Sequence, residues 1–201
     1  MTPAARRGLL GFILGLAVLV AALAYLYWPW LAGGGGSELV APIDVGGPFA
    51  LTDQNGVLRR SEEFRGKLML VYFGYTFCPD ACPTALQDMT QALDLLGAKA
   101  DDVQPIFITI DPERDTAAQM KLYAGNFHPR LIALTGTPDE IAAAARAYRV
   151  FYRKVTGGNA TEYLMDHSGL IYLMGRDGRY ISHFRPGATP QEMAAAIAAH
   201  L

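Results

Sequence analysis

The chain has 201 residues, 51% of them apolar, and 17 Lys and Arg stand against 19 Asp and Glu for a formal charge of −2. That length and apolar share suffice for one domain with a real core, while the scattered, balanced charges form no basic patch to neutralise a row of phosphates, which argues against nucleic acid as a partner. The composition is uneven, because Leu9 to Trp28 contains no charged residue and the remainder reads as an ordinary soluble domain.

Leu9 to Trp28 is about twenty residues, which at about 1.5 Å rise per residue matches a hydrocarbon core of about 30 Å. Arg6 and Arg7 precede it, and Tyr25, Tyr27, Trp28 and Trp30 cluster at its far end like an interfacial aromatic belt. A single transmembrane helix is therefore expected over residues 9–30, with residues 1–8 cytoplasmic. A cleaved signal peptide is the rival reading, since Ala22-Leu23-Ala24 fits a small-residue cleavage pattern, but the apolar stretch outruns the usual core of about 7 to 15 residues. Either way the folded domain lies outside the cytoplasm, where a dithiol tends to oxidise unless it is reduced or metallated. No Arg-rich, Ser-rich transit segment precedes the apolar run, so a bacterial inner-membrane protein with a periplasmic domain is expected. Gly33 to Gly36 with Ser37 reads as a flexible tether, making residues 31–46 a linker and 47–201 the domain. Asn159-Ala160-Thr161 matches a glycosylation acceptor, a motif common by chance.

Phe49 to Thr52 and Val57 to Arg60 alternate around Asn55-Gly56, a pairing that favours the positive backbone angles of a tight hairpin turn. Lys67 to Tyr75 is a continuous apolar and aromatic run, the pattern of a central strand covered on both faces. Cys78 and Cys82 follow, the only cysteines in the chain, and then Leu86, Met89, Leu93 and Leu96 recur at helical steps. Pro83 suits a first helical position, where its missing N–H costs nothing, so the helix is expected to begin at the second cysteine. Gln104 to Ile110 reads as a second buried strand, after which Asp115 or Thr116 of Asp111-Pro112-Glu113-Arg114-Asp115-Thr116 caps a helix running to about Phe127. Leu131 to Leu134 gives a strand, Pro138 to Ala147 a helix, Gly169 to Met174 and Arg179 to Phe184 a hairpin, and Gln191 to His200 the closing helix. Strands alternating with helices, with a dicysteine between the first core strand and the first long helix, predict an α/β, thioredoxin-like fold carrying an N-terminal β-hairpin extension.

At a helix start the exposed N–H groups favour a thiolate, the form that both disulfide exchange and metal binding require. A purely structural disulfide explains less, because a bridge closing so short a loop constrains little chain. Exchange of the thioredoxin type uses Cys-x-x-Cys, whereas three residues intervene here and leave room for an ion between the sulfurs. Two thiolates suit Cu(I), and a third ligand would hold it against competitors. Of the four histidines, His128 before Pro129, His183 on a strand and His200 beside the terminus have ordinary readings. His167, in Met165-Asp166-His167-Ser168-Gly169, follows a polar loop and precedes a strand, from where it can reach the dicysteine. On the residues alone, redox exchange and metal binding both stay open, and His167 reads equally as ligand or as structural residue. Asp80 and Asp166 are more often turn caps than groups tuning a site, and Tyr75 and Phe77 read as packing for the loop.

The segments YFGYTFCPDACP (72–83), DPERDT (111–116) and DHSG (166–169), with the earlier GGPFALTDQNGV and FRGKLMLVYFGYTFCPDACP, resemble the Sco/SenC family of membrane-anchored copper proteins that assist assembly of cytochrome c oxidase. The resemblance covers about Gly47 to Leu201 and departs at Ala117, where the family commonly has proline. It implies a thioredoxin-like fold and copper held by Cys78, Cys82 and His167, as Cu(I), or as Cu(II) where a water or carboxylate completes the coordination. It further implies a copper chaperone that relays the ion to the dinuclear copper site of an oxidase subunit and is served by an upstream copper donor or thiol reductant. A thiol-disulfide oxidoreductase that keeps the oxidase cysteines reduced is the alternative, and a thioredoxin-like peroxidase a distant third.

Overall fold

The computed structural model describes residues 3–32, 45–156 and 163–201, and the side chains of residues 14–28, 45–155 and 163–201. The chain divides into two compact units, Met1–Ile43 and Asp44–Leu201. In the first, α1 (Pro3–Ala32) is the helix expected over residues 9–30, extended at both ends. Its described side chains are all exposed, and among the described residues no helix is long and apolar enough to cross a membrane. The expected Gly33–Ser37 tether and the Asn159-Ala160-Thr161 motif lie outside the described residues.

The second unit is built on a seven-stranded sheet in the order β2-β1-β5-β4-β3-β8-β9. β1 (Ala50–Asp53) and β2 (Leu58–Arg60) form the N-terminal hairpin, and β1 also pairs antiparallel with β5 (Ile132–Thr135). Only Gly56 takes a positive φ, 81°, in the turn; Asn55 does not. The Asp53 carboxylate closes that turn instead, accepting from the amides of Asn55 at 2.8 Å and Val57 at 3.0 Å.

β3 (Leu68–Gly74) is the central strand, parallel to β4 (Val103–Thr109) and antiparallel to β8 (Ile171–Met174), and all seven of its residues are buried. β4 continues parallel into β5, and β8 turns back into β9 (Tyr180–Phe184). α2 (Ala81–Leu96) buries Leu86, Met89 and Leu93 of the periodic positions, with Cys82, leaves Leu96 half-buried, and packs with α5 (Pro190–Ala198). The start of α2 lies one residue before Cys82, so Pro83 is its third residue; it is still within the first turn, where no N–H partner is needed. α3 (Ala117–Ala124) is capped by Thr116, whose hydroxyl accepts from the Gln119 amide, and ends short of Phe127. Thr137 before α4 (Pro138–Ala147) and Thr189 before α5 each form a capping box with a glutamate three residues on.

One feature was not anticipated. β6 (Tyr152–Thr156) and β7 (Tyr163–His167) form a separate two-stranded antiparallel sheet, and His167 is the last residue of β7 rather than part of a loop.

Candidate metal centre

The site begins where β3 runs out. Gly74 is its last residue, and a Cβ there would stand 2.9 Å from Cys82 Sγ, 2.9 Å from a Tyr72 ring carbon and 3.0 Å from a Phe107 ring carbon. The backbone of β3 and the second sulfur are thus in direct contact because a side chain is missing. The loop of residues 75–80 leads from there into α2. Its base is fixed by Thr76, whose amide and hydroxyl both donate to the buried carboxylate of Asp115, at 3.0 and 2.6 Å.

At the head of α2, Asp80 occupies the cap position but makes no side-chain cap bond. The Cys78 sulfur takes that role, accepting the Cys82 amide at 3.4 Å. Cys78 is half-buried and Cys82 fully buried, and both are free thiols. β7 delivers His167 from the other side, with Nε2 3.5 Å from Cys82 Sγ and Nδ1 3.2 Å from the Ser168 carbonyl. A carbonyl can only accept, so Nδ1 carries the proton and Nε2 turns its lone pair toward the sulfur. The rings of Tyr72 and Tyr75 stand edge-on to the imidazole, each 6.1 Å away between centroids.

The two thiols differ in acidity. The Cys82 thiol donates to Cys78, and with the Asp80 and Cys82 amides it outweighs partial burial and brings Cys78 down to about 5. Cys82 is pushed up, because its proton is held by that same hydrogen bond and because it is buried. Burial lowers the His167 pKa and keeps the imidazole neutral, the form that can act as a ligand. In the reduced, metal-free chain, a thiol-alkylating reagent is therefore expected to modify Cys78 and spare Cys82. A group whose pKa is depressed is thiolate above it, so the rate stays near its maximum down to roughly pH 6 and falls about tenfold per unit below about 5. Peptide mapping after timed alkylation measures this, and a rate still climbing between pH 6 and 8 would mark an ordinary thiol.

Of the expected ligands, the structure brings Cys82 and His167 into contact and sets Cys78 against the Cys82 amide. Among the described residues no group of three or more His, Cys, Asp or Glu side chains is arranged to hold a metal ion as it stands. His128 accepts from the Arg130 amide, and His183 is exposed and bonds Tyr180. Asp166 pairs with Arg153 across the β6–β7 hairpin at 2.8 Å, and Asp80 is exposed. Phe77 is 51% exposed, so it covers the loop rather than filling a core. A cavity of about 330 Å³ opens beside the site, lined among others by Tyr72, Asp80, His167, Arg185 and Met193. Sequence reasoning missed Tyr72, whose hydroxyl is a hydrogen-bond partner of Cys82, because a tyrosine inside a buried strand looks like any other core residue.

Comparison with known proteins agrees with this architecture. The SCO1/SenC family profile matches residues 38–201. An SCO2-like protein of Rickettsia felis is 43% identical over 152 residues, covering 75% of this chain and 74% of the relative. The structure of Bradyrhizobium japonicum ScoI with copper bound is 49% identical with a TM-score of 0.73, covering 78% of this chain and 99% of that one. BsSco, described as a member of the Sco family of cytochrome c oxidase assembly proteins with a disulfide switch, is 26% identical with a TM-score of 0.62, covering 79% of this chain and 95% of that one. With its thioredoxin-like α/β fold and its dicysteine at the head of α2, the chain belongs to the SCO1/SenC family.

Proposed function

We propose that the chain is a copper-binding protein serving the assembly of cytochrome c oxidase, in which Cys78, Cys82 and His167 hold the ion as cargo and yield it by ligand exchange to the dinuclear copper site of an oxidase subunit. The contact between Cys82 Sγ and the lone-pair nitrogen of His167, at 3.5 Å, carries this reading. One sulfur at about 2.3 Å and one imidazole nitrogen at about 2.0–2.1 Å from a shared ion stand about 3.5–3.8 Å apart when the bonds meet near tetrahedral or trigonal angles. The observed spacing suits that requirement, and Cys78, whose sulfur now accepts the Cys82 amide, is the third donor in this reading. Two thiolates and an imidazole select Cu(I); Cu(II) is held where a water or carboxylate completes the coordination. The copper-bound ScoI of B. japonicum supports the assignment.

The uncharged run of residues 9–28 within α1 supports a membrane anchor, with the N-terminus in the cytoplasm of a bacterium and the domain in the periplasm. An upstream copper donor or thiol reductant is then needed, because the dithiol must be reduced to bind Cu(I). His167→Ala is expected to weaken Cu(I) binding on the order of a hundredfold while both thiols remain titratable. A Cu(I) titration against a competing chelator measures this, and unchanged affinity would sink the three-ligand reading.

A second reading, a thiol-disulfide oxidoreductase that reduces the oxidase cysteines, is favoured by the two free thiols and the acidic Cys78 and by the disulfide switch of BsSco. Under it, His167→Ala leaves reduction of an oxidase-derived dicysteine peptide intact.

A further inference from the structure

The segment Asp111–Thr116 touches both halves of the site, which come from distant parts of the chain. Its Asp115 is fully buried and holds the base of the cysteine loop through Thr76, as well as the end of β4 through Thr109 at 2.6 Å. Its Arg114 faces the other way. Nη1 donates to the Tyr163 carbonyl at 3.0 Å and Nε to Asp111, whose other oxygen accepts the Tyr163 hydroxyl at 2.7 Å. The guanidinium carbon lies 3.7 Å from the centre of the Tyr163 ring and 4.7 Å from that of Phe77. Phe77 adjoins Cys78, and Tyr163 opens the strand that ends at His167. The guanidinium is therefore layered between the loop that carries the sulfurs and the hairpin that carries the imidazole.

That hairpin is tied to the core through the buried Met165 side chain, and Arg114 adds a second hold at Tyr163. β6 and β7 pair only with each other, and a two-stranded hairpin is marginal by itself in water. The ion pair from Lys154 to Glu113 on its flank is exposed at both ends and contributes little. A planar guanidinium stacked on two rings and hydrogen-bonded along its edge has a geometry that a lysine cannot reproduce.

We propose that Arg114 is a positioning residue: it couples the cysteine loop to the β6–β7 hairpin and so keeps His167 at the sulfurs. The inference rests on the three-ligand copper reading for its effect on binding, but its mechanical part is independent of copper. In the metal-free full chain, Arg114→Ala is expected to speed amide hydrogen exchange in residues 152–156 and 163–167 about tenfold or more while β3 and β4 stay protected. It also weakens Cu(I) binding about tenfold, Arg114→Lys restores neither property, and in a His167→Ala background Arg114→Ala has no further effect on affinity. Unchanged exchange in the hairpin, or an equal loss of affinity with and without His167, would overturn the proposal. If His167→Ala alone binds copper normally, the ligand reading fails, and the exchange measurement still decides the role of Arg114. Should Arg114→Ala not fold, Tyr163→Leu, which removes the stacked ring and its hydroxyl from the hairpin side, is read in the same way.

Discussion

Cys82→Ser is expected to lower Cu(I) affinity on the order of ten thousandfold while leaving the domain folded. The residue is fully buried beneath Gly74, and its sulfur is in hydrogen-bond contact with the Tyr75 backbone, the Tyr72 hydroxyl and Cys78. A serine hydroxyl is slightly smaller and can keep those partners, so no buried group is stranded. It is also a hard donor that stays protonated, and a soft ion has little affinity for it. Cys82→Ala separates two effects that serine leaves together. Alanine removes the donor to Cys78, the largest cause of its acidity, so the Cys78 pKa rises in the alanine variant and stays low in the serine variant. A chelator competition and an alkylation pH profile on both variants measure these outcomes; a serine variant within tenfold of the parent affinity would mean that copper sits elsewhere.

Gly74→Ala is expected to destabilise the domain by about 1–3 kcal/mol. The added carbon meets Cys82, Tyr72 and Phe107, none of them more than 1% exposed, at 2.9, 2.9 and 3.0 Å, and none of the three can retreat into solvent. Gly74 has no positive φ that would explain a glycine by backbone freedom, so the strain comes from packing alone. The sign is informative, since glycine to alanine at an unstrained position commonly stabilises by about 0.4–1 kcal/mol through the unfolded chain. Gly125 is the internal control: its φ is −61° and the nearest atoms to an added Cβ are at 3.5 and 3.6 Å, ordinary contact. Urea midpoints for the two variants should therefore move in opposite directions. Displacing the Cys82 sulfur also lowers copper affinity in Gly74→Ala; a variant as stable as the parent would contradict the packing described.

The elements that were legible in the sequence are those whose physics is local. The unbroken apolar run of β3, the three- and four-residue spacing from Leu86 to Leu96, and the helix over Pro138–Ala147 each describe their own surroundings, whereas α5 begins one residue before the expected Gln191 and ends at Ala198 rather than His200. The β6–β7 hairpin was not legible because β6 exposes Arg153, Lys154 and Val155 in succession, while β7, whose burial does alternate, turns the apolar Leu164 outward and buries only Met165. The Asn55-Gly56 turn was read correctly as a turn, but its closing group, the Asp53 carboxylate, was not. DPERDT was read as a helix cap, which Thr116 is; the burial of Asp115 and the stacking of Arg114 depend on strands far away in the chain. Likewise the spacing of the dicysteine marked a reactive pair but left exchange and metal binding open, and His167, 85 residues from Cys82, rose from an even candidate to an expected ligand only through family resemblance.

The first turn of a helix has amides without partners in the helix itself. In α2 one of them is satisfied by the Cys78 sulfur, because Asp80 does not reach back. The reactive group is thus also a structural one, and chemistry at it is felt by the fold. Oxidation, alkylation or capture of that sulfur by a partner withdraws charge from the helix start and alters how firmly α2 is anchored. Whatever takes the Cys78 sulfur away is thus expected to loosen the head of α2, and faster exchange of the Cys82 amide would report it.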